Sequence, residues 1–314
     1  MKTNPKWTNH PLFTYGTPIL VFIFLLMIAI GTQSKVPYNS IALDLGFAQV
    51  AWYAVFILTG IILGAFLTYQ EFKKFGWDVN ILYDGILFAV PLAILGARLY
   101  YVIFDPSPNY RNIIDVINIT QGGLAIHGAV IVTLIFLIFF TKKKKISFWA
   151  MADMIMIGFL IGQIIGRWGN FMNQEAYGPV IQSQFILNML PTFILDQMFI
   201  GGAYHHPTFL YEGLWNFTGL VFLLIARRKR WFKIGDMLGL YLIWYGLGRG
   251  LVIEPLRVGG HPDDALRLFG LPANIVLSLG LFMLGGLALI IVNHFVIKDK
   301  PYYVDMLVDG KNND

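Results

Sequence analysis

The feature that most constrains this chain is a recurring run of about twenty apolar residues, each separated from the next by a short polar or basic stretch. A helix rises about 1.5 Å per residue, so each run is long enough to cross a hydrocarbon layer about 30 Å thick. The runs lie at Pro11–Gly31, Val50–Tyr69, Ile81–Phe104, Gly123–Phe140, Phe148–Phe171, Phe209–Ala226, Gly235–Glu254 and Pro272–Val296. They predict an all-α polytopic membrane protein, a bundle of about eight transmembrane helices. Hydrophobic residues make up 57% of the chain and charged residues only 13%. A soluble protein is nearer a quarter charged, which excludes that class. The first run follows Lys2 and Lys6, as a signal peptide would. Its apolar core is long for one and no small-residue cleavage site follows, which favours a retained anchor.

The basic residues give the orientation. Lys2, Lys6, Lys73, Lys74, Lys142 to Lys145, Arg227 to Arg230, Lys233, Lys298, Lys300 and Lys311 fall on one side of an eight-span chain, 16 of its 23 Lys and Arg. The positive-inside rule makes that side cytoplasmic, with both termini on it. The formal net charge of +5 is therefore spread over loops rather than gathered on one face, which argues against a nucleic-acid partner. The expected organisation is an N-terminal anchor and external linker over 1–44, the main transmembrane bundle over 45–298, and a polar cytoplasmic tail over 299–314. Within the bundle, residues 179–205 mix Phe185, Ile186, Leu187, Met189 and Leu190 with polar groups. This is expected to form a small external cap at the membrane surface, with a re-entrant segment as the alternative. No repeat of 20–50 residues is visible. The chain has no cysteine, so any thiol chemistry takes its thiol from a substrate.

Of the other seven basic residues, Arg98, Arg167 and Arg249 fall late in outward-going spans or in their outer half, and Arg257 just beyond. An ionised side chain inside a bilayer costs at least about 2.5 kcal/mol, so such groups face a pocket and a counter-ion. Arginine suits phosphate because its planar fork donates two parallel hydrogen bonds. One arginine alone would snorkel to the headgroups; three at one depth, with polar neighbours, point to an anion pocket. Arg167, Asn170 and Asn173 recur every three residues and are expected to share an inward face. Glu175 is placed to neutralise or orient an arginine, and Gly178 before Pro179 to end the helix. Tyr245 and Arg249, four apart, share a face, and Glu254 and Arg257 follow at the mouth. His127, beside glycines at the outer start of a span, reads either as a structural hydrogen-bonder or as a base.

The stretch Gly166-Arg-Trp-Gly-Asn-Phe-Met-Asn-Gln-Glu-Ala-Tyr-Gly178 resembles the signature of the bacterial prolipoprotein diacylglyceryl transferase family, Gly-Arg-x-Gly-Asn-Phe-x-Asn-x-Glu-x-x-Gly. Trp52-Tyr53, Gly96–Phe104, Gly122–Gly128, His206–Glu212 and Trp244–Arg249 are similar to further elements of that family, so the resemblance covers about residues 45 to 297. Three departures stand out. The family usually has seven spans, so Pro11–Gly31 is an added one. One residue more than the family pattern separates Arg249 from Glu254. A Thr-Asp-Ser-Leu run is replaced by Val258-Gly-Gly-His-Pro-Asp-Asp264.

The resemblance implies transfer of the diacylglyceryl group of phosphatidylglycerol to the lipobox cysteine of prolipoprotein signal peptides, with no metal or cofactor. The work would be done in the bacterial cell membrane, with the active site toward the outer leaflet. His127, Arg167, Arg249, Tyr53 and Tyr245 would be catalytic. Arg98, Arg167, Asn170, Asn173, Glu175, Gly178, His206, Glu212 and Glu254 would bind substrate. The residues fit this chemistry on their own terms. A leaving phosphate needs its charge held in a dry site, which arginines do, and a thiol needs a base, for which His127 is best placed and Tyr53 or Tyr245 an alternative. A transporter would instead place helix breaks and coupling groups at mid-depth. A metal-dependent lipid phosphotransferase would need the Asp84-Gly85 and Ala97-Arg98 pairs closer than the eleven residues that part them, together with further spaced aspartates. His261, Asp263 and Asp264 are the remaining candidate cation ligands.

Overall fold

The structure, a computed structural model, describes residues 11–46, 49–105, 110, 112–118, 122–260, 267–268 and 270–307. Lys2, Lys6, Arg111, His261, Asp263, Asp264 and Lys311 lie outside them. Among the described residues seven helices are long and apolar enough to cross a membrane. They are α1 (Phe13–Gly31 of the helix Pro11–Gly31), α2 (Trp52–Lys74), α3 (Val79–Phe104), α5 (Ile126–Lys144), α6 (Phe148–Asn173), α9 (Thr208–Ala226) and α12 (Ala273–Val296). The eighth expected span, Gly235–Glu254, is helical but not uniformly so. It runs as α10 (Asp236–Leu247), a π turn (Gly248–Ile253) and α11 (Glu254–Gly260) without a break in the helical course. Short elements complete the chain: a hairpin β1–β2 (Ile41–Asp44 with Gln49–Ala51), α4 (Ile113–Ile117), α7 (Gln184–Met189), α8 (Thr192–Gln197), β3–β4 (Phe199–Ile200 with Ala203–Tyr204) and β5–β6 (Arg267–Leu268 with Leu271–Pro272).

The described residues divide into two compact units, one of those up to 70 with 152–307 and the other of those within 71–151. In the first, α2 and α6 approach until their backbones touch. A Cβ at Gly60 would sit 2.9 Å from the Gly162 Cα, and one at Gly64 would sit 3.0 Å from the Gly158 Cα. Glycines four apart on each helix give this approach, which replaces the missing hydrophobic drive between helices in lipid with close van der Waals packing. Around the crossing, Trp52, Phe56, Leu63 and Leu67 of α2 pack with Ile157, Ile161, Ile165 and Phe171 of α6 and Phe209 of α9. The N-terminal α1 joins this core through Ala29 and Phe22, whose ring meets Trp168 edge-on at 6.1 Å.

Residues 179–205 form two six-residue helices and a two-residue-stranded hairpin, none long enough to enter and leave a bilayer. Gln197 pins this segment. Its Nε2 donates to the Phe171 carbonyl at 3.0 Å, and its Oε1 accepts from the Tyr38 N–H at 2.8 Å. The expected tail is partly built in. The Ile234 N–H donates to Pro301 O at 3.0 Å, the Tyr303 N–H to Phe232 O at 2.9 Å, and the Tyr303 side chain is fully buried. Its polar composition hides this aromatic anchor. Beside it, Asp236 accepts from the Lys233 N–H, the Asn293 amide and His294 Nε2, each within 2.8 Å.

The second unit pairs α3 with α5 through Gly96 and Gly128, each lying under the other's backbone. Asp78 caps α3 by accepting from the Asn80 N–H at 3.0 Å. Asp84 forms a 2.6 Å ion pair with Lys144 rather than joining a cluster of carboxylates.

Candidate active site

In the first unit three arginines and two glutamates, carried by α6, α9 and the course that continues α10, form one ion-pair chain. Arg167 Nη2, on α6, lies 2.6 Å from Glu212 Oε1 on α9. The other oxygen of that carboxylate, Oε2, accepts from Arg249 Nη1 in the π turn at 3.3 Å. Arg249 Nη2 continues to Glu254 Oε2 at 3.1 Å, and Arg257 Nη1 reaches the same oxygen at 3.6 Å. Asn274 on α12 donates to Glu254 Oε1 at 2.9 Å. Both glutamate side chains are only 6% exposed. Three guanidinium groups against two carboxylates leave this cluster one positive charge in excess, in a setting that screens it poorly. The cluster borders a recess lined by Arg167, Asn170, Ala176, Thr208, Phe209, Glu212 and Arg257.

The π turn explains the spacing of Arg249 and Glu254. In an α-helix residues five apart point about 140° away from each other. Here the Glu254 N–H bonds to the Arg249 carbonyl, five residues back. That wider turn takes up one extra residue and returns Glu254 to the face of Arg249. The five-residue spacing is therefore compatible with the ion pair.

A second chain of bonds orients Arg167. Its Nη1 donates to Asn170 Oδ1 at 3.2 Å, and Asn170 Nδ2 donates to Glu175 Oε1 at 2.7 Å. Glu175 thus acts on Arg167 through Asn170, and the arginine's direct counter-ion is Glu212. Glu175 reaches Asn170 because α6 ends before it. The expected stop at Gly178–Pro179 is corrected: the helix ends at Asn173. The Glu175 N–H bonds to Asn170 O and the Gln174 N–H to Phe171 O, with Gln174 at φ 51°. This is the Schellman pattern, with glutamine in the left-handed position usually given to glycine. Gly178 serves packing instead. A Cβ there would lie 2.9 Å from His206 Cβ, and the Gly178 N–H donates to His206 O at 2.9 Å.

Asn173 does not share the face of Arg167 and Asn170. It is exposed at the helix end, because three-residue steps on a 3.6-residue helix drift by about 60° each. His206 stitches the loop to α9, its Nδ1 lying 3.0 Å from the Tyr211 hydroxyl. Burial and the neighbouring His205 hold its imidazole below the usual histidine range. Tyr53 packs over Gly169, with its Cα 3.1 Å from where a Cβ there would sit. Tyr245 stacks on Tyr241 at 6.1 Å and meets Phe282 edge-on at 5.2 Å.

Arg98 and His127 belong to the second unit. Arg98 is buried and spends its donors on backbone. Nε donates to Val116 O at 2.8 Å, Nη2 to Asp115 O at 2.8 Å, and Nη1 to Gly122 O at 3.1 Å and Gly123 O at 3.2 Å. This guanidinium clamps the loop that leads into α5. His127 is exposed on the first turn of α5, its ring 5.8 Å from that of Tyr100.

Sequence reasoning missed Asn274, Thr208 and Gln197. Thr208 Oγ1 donates to the Ala176 carbonyl, and Asn274 holds Glu254. Only Gln197, a polar residue among apolar ones in the cap, carried a signal.

The fold and this cluster define a polytopic membrane protein that pairs arginines and glutamates of several helical segments in one buried ion-pair chain. The chain belongs to the prolipoprotein diacylglyceryl transferase family: the family's model matches residues 40–292. The phosphatidylglycerol–prolipoprotein diacylglyceryl transferase of Bacillus cereus (strain 03BB102) is 45% identical over 265 residues, covering 84% of this chain and 96% of that protein. The enzyme of the same name from Bacillus thuringiensis subsp. konkukian (strain 97-27) matches equally, and that of Bacillus anthracis (strain A0248) is 44% identical over the same length. Helix α1 lies outside the matched region.

Proposed function

We propose that this chain transfers the diacylglyceryl group of phosphatidylglycerol to the lipobox cysteine thiol of prolipoproteins. The cysteine sulfur attacks the glyceryl carbon that bears the phosphate ester. A carbon–sulfur bond forms, the carbon–oxygen bond to phosphate breaks, and glycerol phosphate leaves with the bonding electrons. The thiol proton passes to a base, for which the family resemblance offers His127, with Tyr53 or Tyr245 as an alternative or an orienting group. The observation that carries the reading is that Arg167 and Arg249, from separate helices, meet on one carboxylate oxygen pair, 2.6 and 3.3 Å away. Three guanidinium groups against two carboxylates leave an excess positive charge that suits a phosphodiester beside them. Asn170 supplies a neutral hydrogen bond beside it.

The basic loops support a reading with the cytoplasm opposite this cluster, the site toward the outer leaflet of the bacterial cell membrane and residues 179–205 as an external cap. The direct test incubates purified protein with phosphatidylglycerol and a lipobox peptide. A thioether-linked diacylglyceryl peptide by mass spectrometry supports the reading, and its absence with an active control enzyme sinks it. Complementation of a strain depleted of its own transferase, with Arg167→Ala as control, tests the same claim in cells.

A further inference from the structure

Two tryptophans on neighbouring helices hold each other in a reciprocal clasp. Trp215 Nε1, on α9, donates to the Trp244 carbonyl at 3.1 Å, and Trp244 Nε1, on α10, donates to the Trp215 carbonyl at 3.0 Å. Their rings stack at 4.6 Å with 24° between planes, and Phe222 extends the stack from Trp244 at 6.1 Å. Each ring lies on a glycine of the other helix: Trp244 against Gly219, and Trp215 against Gly248, with no room for a Cβ at either. Buried indole N–H groups need acceptors, and in lipid the helix carbonyls are the nearest at hand. Five features (two bonds, one stack and two glycines) therefore fix how far α9 can slide along α10.

The clasp sits next to the ion-pair chain. Glu212 is three residues before Trp215, hence about one turn away on α9. Gly248, covered by Trp215, opens the π turn and directly precedes Arg249. The Trp244 carbonyl that accepts the Trp215 indole also meets the Gly248 N–H, at the point where α geometry gives way to π. A slide of about 1 Å between these helices would open the 3.3 Å contact of Arg249 with Glu212, and misplacement of that size costs up to about a hundredfold in rate.

We infer that Trp215 and Trp244 are positioning residues for the reaction proposed above: their clasp sets the register that brings Arg249 to Glu212 and Arg167. The inference rests on the transferase reading and extends it to two residues outside the charged cluster.

The test uses the full-length protein in detergent or nanodiscs, with Trp215→Phe, Trp244→Phe and the double variant. Each single change removes one indole N–H and the paired-indole exciton band in circular dichroism. The expected result is a fall in kcat of about tenfold per folded molecule, with KM for phosphatidylglycerol unchanged within about twofold. The double variant should be no slower than either single one, because the clasp acts as a unit. A merely structural role would lower the folded fraction and leave kcat per folded molecule alone. The inference is overturned if either variant loses the exciton band and keeps wild-type kcat, or if the two losses multiply in the double variant. If Trp215→Phe does not fold, Trp244→Phe is read by the same criteria. A wild-type protein that makes no thioether would instead refute the transferase reading.

Discussion

The guanidinium of Arg167 and the carboxylate of Glu212 lie 2.6 Å apart, although 44 residues of chain separate them. Glu212 offers its second oxygen to Arg249, so one buried carboxylate holds two helices' arginines in place. On the transferase reading, guanidinium groups held in fixed positions by that carboxylate need little reorganisation when a phosphodiester comes beside them.

Arg167→Lys tests the fork. Lysine keeps the charge but has one donor centre, so it cannot serve Glu212 and Asn170 together as Nη2 and Nη1 do. Transfer to a lipobox peptide should fall at least about tenfold. Activity within about twofold of wild type would remove the two-pronged role from Arg167.

His127→Asn tests the base. The imidazole is exposed, and asparagine retains a polar group of similar reach without basicity near neutral pH. Turnover should drop by about a hundredfold, with binding of phosphatidylglycerol in a vesicle assay nearly unchanged. Equal losses in both would make His127 a structural residue.

His206 predicts a pH effect on the loop that follows α6. Its imidazole is held below the ordinary 6.5 by burial, with His205 adding to the shift. Between the folded and unfolded values the unfolded chain binds more protons, so stability rises with pH. The contribution is intact above the unfolded value and is lost as pH falls through the folded one. Hydrogen exchange of residues 174–181 and 204–208, corrected for intrinsic rates, should quicken between about pH 7.5 and about pH 5.5. His206→Phe should flatten that dependence; an unchanged profile in the variant would assign the effect elsewhere.

Asn216 predicts a gain. Its side chain is buried on α9, and its Nδ2 has no hydrogen-bond partner among the described residues. Removing an unpaired buried donor should stabilise the protein, so Asn216→Leu is expected to add about 1 kcal/mol. Thermal unfolding in detergent measures it. A lower midpoint would mean that the amide is satisfied in the membrane-embedded protein.

Much of this was legible in the residues themselves. Seven of the eight expected spans appear as long helices with ends displaced by a few residues, because span length and hydropathy are local properties. Arg167 and Asn170 share a site as their spacing suggested, while Asn173 does not, since one further step of three turns it off the face. The stop of α6 was misplaced because glycine is the usual left-handed residue, and here Gln174 and Ala176 take positive φ. Fixed by the loop that returns under His206, those residues accept a strain that no propensity scale assigns to them.

The sequence by itself determined the membrane-spanning class and the family. Each of these is written in composition or in a short contiguous motif. Only the tertiary structure decided which anion the arginines hold, that a π turn brings Glu254 to Arg249, that Arg98 serves a loop, and that Trp215 and Trp244 lock two helices together. These depend on how helices dock, and docking is set by glycine contacts and side-chain shapes spread over the chain, which no spacing within one helix encodes.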